Sequence, residues 1–161
     1  SMKQNDMANI ELYVGKSSGG RTESHKVGYL RGRWDRDSGS FFTKELYFDL
    51  EVPRSMVLEI ADTLGFRTEV NKVIKESGRN DDIMYVEVKC DYGNKWPEAH
   101  PYRKTPKQDF DINMVPNAPG QLHLREPVLL YTNQTPMKLS IEASADPSGN
   151  KLSRRTQIGK V

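Results

Sequence analysis

Glu45-Leu46-Tyr47-Phe48-Asp49-Leu50-Glu51-Val52, followed by Pro53-Arg54-Ser55-Met56-Val57-Leu58, is the stretch whose pattern decides the fold. Leu46, Phe48, Leu50 and Val52 alternate with Glu45, Tyr47, Asp49 and Glu51. A period of two puts the four apolar residues on one face of a strand and the polar ones on the other. Pro53 ends the ladder, and the spacing changes to that of a helix, with Met56, Val57, Ile60, Ala61 and Leu64 on one side and Glu59 and Asp62 on the other. Gly65 stands where a left-handed terminating residue is expected. A half-buried strand, Phe41 to Val52, therefore feeds a helix.

Upstream, Ile10, Leu12 and Val14 alternate with Glu11 and Tyr13, predicting a strand near 9–15. Lys16 to Thr22 is a Gly/Ser loop, His25 to Trp34 a second strand, and Asp35 to Gly39 a turn. Three strands with short connections read as a meander. Downstream, Phe66 to Ser77 has helical spacing at Phe66, Val70, Val73 and Ile74, with Thr68 as a cap. Its β-branched content leaves a strand as the alternative. Ile83 to Cys90 is a strand with Met84, Val86, Val88 and Cys90 on one face. Five prolines between Asp91 and Gly120 break every pattern and predict an irregular lobe. Leu122 to Tyr131, interrupted by Pro127, reads as an edge strand, and Met137 to Ala143 as the last strand.

The fold expected is α+β and strand-dominated: about six strands in a mostly antiparallel sheet or small barrel, with one or two helices after the third strand. A five-stranded barrel of the oligonucleotide-binding kind and an open sheet backed by a helix both fit this order. The 161 residues suit one domain. Residues 1–8 read as a tag remnant (Ser1-Met2) and flexible N-terminus, 9–144 as the α+β domain with its Pro-rich lobe at 91–120, and 145–161 as a flexible basic tail. The apolar fraction is 35% and mean hydropathy −0.74, so the core is lean. No apolar run approaches the ~18 residues of a membrane span, and no hydrophobic leader is visible. With Cys90 as the single cysteine, an internal disulfide and a thiolate-rich zinc site are excluded. A cytoplasmic location and no membrane association are expected.

Net charge is +2, and its distribution is uneven. Segment 41–90 holds more acids than bases, whereas Lys151, Arg154, Arg155 and Lys160 close the chain without an acid. In the second strand the odd positions place Val27, Tyr29, Arg31 and Arg33 on one face, with Leu30 and Trp34 on the other. Aromatic rings interleaved with guanidinium groups suit single-stranded nucleic acid, because bases stack on rings while arginine neutralises phosphate. Tyr13, Tyr47, Tyr85 and Lys89 extend that face, while Asp49, Glu51 and Glu87 border it and repel phosphate.

Residues 56–77 look like a helix-turn-helix: Ala61 allows close helix approach and Gly65 makes the turn. The second helix would present Arg67, Asn71, Lys72 and Lys75. Asn71 departs from the pattern, standing where an apolar residue belongs. Asp35/Asp37 and Asp109/Asp111 have calcium-like spacing without the remaining ligands. No H-E-x-x-H, G-x-S-x-G, P-loop or dinucleotide motif occurs, the three histidines are scattered, and Cys90 reads as a buried hydrophobe.

The expectation is therefore a non-catalytic module, with no cofactor or metal, that contacts nucleic acid, single-stranded in preference, through Tyr29, Arg31, Arg33, Lys151, Arg154 and Arg155. The alternative is a protein-interaction or assembly subunit using Trp96, Tyr102 and Phe110 of the Pro-rich lobe, or an exposed strand edge. A second alternative is DNA binding through 56–77. The sequence leaves the oligomeric state open.

Overall fold

Among the described residues, ten elements follow one another: β1 (Met7–Lys16), β2 (Ser24–Trp34), β3 (Phe41–Phe48), α1 (Arg54–Leu64), α2 (Arg67–Glu76), β4 (Val88–Asp91), β5 (Ile112–Met114), β6 (Leu122–Leu124), β7 (Val128–Leu130) and β8 (Met137–Ala143). The structure, a computed structural model, describes residues 7–16, 24–34, 41–78, 84–93, 112–114, 122–124, 128–130, 136–145 and 150–151. Six strands form one open sheet in the order β4-β3-β2-β1-β8-β7, every neighbouring pair antiparallel. Of the two architectures compatible with the sequence, the open sheet is the one adopted. β5 and β6 form a separate two-stranded ribbon.

The helices cover one face of the sheet. Met56, Val57, Ile60, Ala61 and Leu64 of α1, as the periodicity predicts, join Phe66, Val70 and Ile74 in one core with Leu12, Leu30, Leu46, Phe48, Val88 and Ile141. Burying a side chain of this size contributes roughly 1.5–3 kcal/mol. Gly65 ends α1 at φ 85°, and the Phe66 amide reaches back to the Ala61 carbonyl at 2.7 Å, the long bond of a Schellman-type cap. The segment after it is helical rather than extended. Thr68 does not cap it; the N-cap is Phe66, with no side-chain bond.

Two β-bulges set which residues face the core. Leu12 opposes Gly28 and Tyr13 opposes Lys26, so Val27 is the extra residue. Arg31 opposes Glu45 and Gly32 opposes Thr43, so Lys44 is the extra residue of β3. An extra residue reverses the alternation beyond it. Val27 is therefore buried with Leu30 and Trp34, not outward beside Tyr29 as strict alternation predicts, and Lys26 takes the outward place. In β3 the inward set is Phe41 and Thr43 before the bulge and Leu46 and Phe48 after it.

The third strand is shorter than its pattern. It ends at Phe48 because the Asp49 carboxylate accepts the Glu51 amide at 3.0 Å and the Asp49 carbonyl accepts the Val52 amide at 3.1 Å, a side-chain-closed turn. Leu50 sits on that turn, 51% exposed, while Val52 still reaches the core. The strand predicted over 83–90 is likewise reduced to Val88–Asp91. Its upstream part pairs with the entry to α1 instead: Arg54 donates to the Met84 carbonyl at 2.8 Å and Val86 to that of Val52 at 3.3 Å, leaving Met84 65% exposed. The interval 91–120 contains a strand, β5, and Leu122 to Tyr131 holds two strands, β6 and β7, which belong to different sheets. β7 is an edge strand, and β8 has the predicted bounds.

Gly28 and Gly32 face β3 at close quarters. A Cβ on Gly28 would overlap the Tyr47 carbonyl oxygen, and one on Gly32 that of Phe42. Both obstacles are backbone, which cannot swing aside. Gly32→Ala should therefore destabilise the fold by about 1–3 kcal/mol or more, read as a lower urea midpoint at unchanged m. Thr43 should behave oppositely. Its hydroxyl is buried without a hydrogen-bond partner among the described residues, so Thr43→Val should be neutral or stabilising by about 1 kcal/mol. A fall in stability in the same urea titration would contradict that reading.

Candidate functional site

The sheet face opposite the helices carries the residues singled out in the sequence. One register row runs Lys89, Tyr47, Tyr29, Glu11, Glu142 across β4, β3, β2, β1 and β8. The next runs Asp91, Glu45, Arg31, Asn9. Tyr29 is the hub. Its ring stacks on Tyr47 with centroids 5.3 Å apart and planes inclined by 29°, the Lys26 ammonium lies 5.3 Å from its centroid, and its hydroxyl donates to the Glu45 carboxylate. Burial, and after it the bond to Glu45, push the Tyr29 phenol up to about 12. Burial raises Tyr47 as well.

The cations differ in freedom. Arg31 is exposed and donates to Asn9 Oδ1 at 3.3 Å. Arg33 is half-buried: its guanidinium lies 5.3 Å from the Phe42 ring and donates to the Trp34 carbonyl at 3.5 Å. Tyr29 and Arg31 thus share a neighbourhood, with Arg33 engaged further along the strand. Lys151 is exposed and bridged to Ala145, whose carbonyl accepts the Trp34 indole at 2.9 Å. Arg154 and Arg155 lie outside the described residues, as do Trp96, Tyr102 and Phe110 and the Asp35/Asp37 and Asp109/Asp111 turns.

Acidic residues are interleaved with the cations. Glu11 and Glu142 oppose each other directly and are only 7% and 8% exposed. Like charges in that position are destabilising unless compensated. Compensation comes from Tyr13, whose hydroxyl donates to Glu11 at 2.7 Å, and from Lys26, 3.8 Å from the same carboxylate. Burial first, then the bond to Glu11, raise the Tyr13 phenol above its ordinary range. Asn9, Glu11, Lys26, Tyr29 and Arg31 together line a cleft of about 180 Å³.

Lys26, Asn9, Glu11 and Glu45 were not singled out as site residues from the sequence. Outward placement of Glu11 follows from the alternation of β1, but its meeting with Tyr29 depends on register. Lys26 faces outward only because of the Val27 bulge. Tyr85 does not extend this face: it bridges to Pro53 and lines a second cleft, about 290 Å³, with His25, Asp49, Glu51 and Met56.

In α2, Arg67, Lys72 and Lys75 are exposed while Asn71 is half-buried, and the helix packs against β4. Among strand edges, β4 has four residues and presents Lys89 and Asp91, the short charged form that resists edge pairing. Burial pushes the Cys90 thiol up to about 11, with Glu69 adding to the rise, the direction opposite to that of an activated nucleophile. Among the described residues no group of three or more His, Cys, Asp or Glu is placed to hold a metal ion, and no helix is long and apolar enough to cross a membrane. Comparison with protein-family models, curated proteins and solved structures yields no match.

A phenol whose folded pKa exceeds its unfolded value contributes stability that is complete below the unfolded value and is lost as pH rises through the folded one. For Tyr29 that window runs from its ordinary 10.0 to about 12. Urea midpoints measured across that range should fall with pH, and fall less steeply in Tyr29→Phe. Identical slopes would place the Tyr29 hydroxyl outside the network.

Proposed function

We propose that the protein binds single-stranded nucleic acid on the sheet face opposite its helices. One observation carries the reading: the stacked Tyr29–Tyr47 pair stands mid-sheet, with Lys26, Arg31 and Lys89 around it. Successive bases extend a stack that two aromatic rings have begun, each contributing roughly 1–3 kcal/mol, and every base has a π-face to offer. Arg31 and Lys89, both exposed, are positioned for backbone phosphate. The helices hold the sheet from behind, so the platform is rigid before the strand arrives and little ordering cost falls on the protein.

The carboxylates of Glu45, Asp91 and Glu142 restrict where phosphate can run. The reading therefore calls for affinity dominated by stacking, with few phosphate contacts. A duplex, whose bases are already stacked on one another, has no face to give and should bind more weakly.

Fluorescence anisotropy with short labelled oligonucleotides at about 50 and 200 mM salt tests this. Wild-type protein should bind single strands in preference to duplex and weaken as salt rises. Tyr47→Ala should weaken binding by about 5- to 150-fold, the equivalent of one stacked base. Arg31→Ala should shallow the log–log salt slope by about 0.7. Absence of binding at the lower salt, or full affinity in Tyr47→Ala, would overturn the proposal.

A further inference from the structure

We infer that the cleft lined by Tyr85 at the start of α1 is a docking site for a peptide segment of a partner protein, one that carries an apolar anchor flanked by lysine or arginine. Such a role does not depend on nucleic-acid binding. Leu50, Met84 and Tyr85 are the large apolar side chains exposed among the described residues, at 51%, 65% and 47%. All three gather around one cleft of about 290 Å³. Tyr85 lines it, Met84 precedes Tyr85, and Leu50 stands between the lining residues Asp49 and Glu51. Apolar side chains scattered singly over a surface need no explanation, whereas a group rimmed by polar residues marks an interaction site.

Backbone bonds hold this group outward. The Asp49 carboxylate accepts the Glu51 amide at 3.0 Å and the Asp49 carbonyl the Val52 amide at 3.1 Å, so Leu50 stands at the tip of a closed turn. The Met84 carbonyl accepts the Arg54 amide at 2.8 Å, and Tyr85 bridges to Pro53. Turning either segment inward would break those bonds. A surface already held in its binding form loses little freedom on docking. Beneath it Val52 and Met56 belong to the core, so the floor of the cleft is apolar and anchored. Tyrosine offers a large contact area with a polar tip, and methionine adapts to irregular partners.

Charge selects the occupant. Asp49 and Glu51 flank Leu50, and Glu51 is exposed. The Asp49 carboxylate holds one backbone amide, out of about four directions from which a carboxylate accepts. Glu87 lies on the same side: after burial, the charges of Asp49 and Glu87 raise the Tyr47 phenol. Lys26 also lines the cleft, but its ammonium is turned to the far sheet face, 3.8 Å from Glu11 and 5.3 Å from the Tyr29 centroid. The fixed charge left at the rim is therefore acidic. A basic segment is steered towards it and an acidic one repelled. Lysine or arginine beside the anchor answers Asp49 and Glu51, while the anchor covers Tyr85 and Met84.

The test pans the intact chain against a phage-displayed library of random short peptides, and titrates the enriched sequences, synthesised with a label, by fluorescence anisotropy. Enriched peptides should pair an aromatic or aliphatic residue with lysine or arginine. Tyr85→Ala should weaken them by about 5- to 30-fold, the loss on truncating a central anchor. Leu50→Ser should act in the same direction. Glu51→Lys, a charge reversal at an exposed position, should weaken binding and flatten its salt dependence. It keeps the test decisive should Tyr85→Ala fail to fold. No enrichment over the empty support, enrichment of acidic sequences, or unchanged affinity in Tyr85→Ala and Glu51→Lys would overturn the inference. So would a concentration-dependent dimer that Leu50→Ser dissolves in light scattering, which would assign the surface to a second copy of the chain.

Discussion

The close approach of β2 and β3 at Gly28 and Gly32 is the constraint on which the rest of the molecule depends. Each glycine places bare backbone against a carbonyl of β3, at Tyr47 and at Phe42, where a methyl group would have no room. Each also adjoins a bulge, one at Val27 and one at Lys44. The bulges reverse the alternation, so Val27, Leu30 and Trp34 all point to the helices although their spacing is uneven. Side chains on the far face are brought into cross-strand rows by the same register. A one-residue slip would carry Tyr29 and Arg31 into the core and Leu30 out of it. Core packing and surface chemistry are thus set by a single strand pairing.

Much of this was legible in the sequence, wherever the signal is local. The five inward residues of α1, its glycine terminus and the bounds of β8 follow from periodicity and from one residue able to take a positive φ. The outward placement of Tyr29, Arg31 and Arg33 follows from a period of two. What could not be read depends on partners distant along the chain. Leu50 and Met84 fit an apolar alternation, yet both are exposed, because Asp49 closes a turn and because 84–86 pairs with the α1 entry rather than with β3. Val27 fits the wrong face because a bulge is defined by two strands at once. Glu11 and Glu45 stand in the sequence only as polar positions of alternating strands; register brings them to Tyr13, Lys26 and Tyr29. Prolines between 91 and 120 pointed to irregularity, and a three-residue strand such as β5 is too short to assert itself against them.

The chemistry of the far face has a physical logic of its own. Two carboxylates, Glu11 and Glu142, oppose each other across β1 and β8 with little water around them. Such a pair persists only where donors answer it, and here Tyr13 and Lys26 do so for Glu11. Lys26 in turn serves the Tyr29 ring, and the Tyr29 hydroxyl serves Glu45. Each polar group is held by the next, so the face is a connected network rather than a scatter of solvated side chains. Networks of this kind are rigid when satisfied, which is what the proposed stacking surface would require.

Mixed charge also decides what kind of binding the face can support. A uniformly basic surface attracts any polyanion, and its affinity collapses as counterions compete. Here Arg31 stands opposite Glu45, and Lys89 next to Asp91 along β4. The long-range field is therefore weak, and the proposed binding would draw little on phosphate. What would remain for the proposed ligand is short-range: contact with the Tyr29–Tyr47 aromatic pair and with the polar side chains around it. Short-range terms discriminate between bases, whereas phosphate contacts do not. For the binding proposed here, such a face would trade reach for selectivity, since short-range contacts are the ones that tell one base from another.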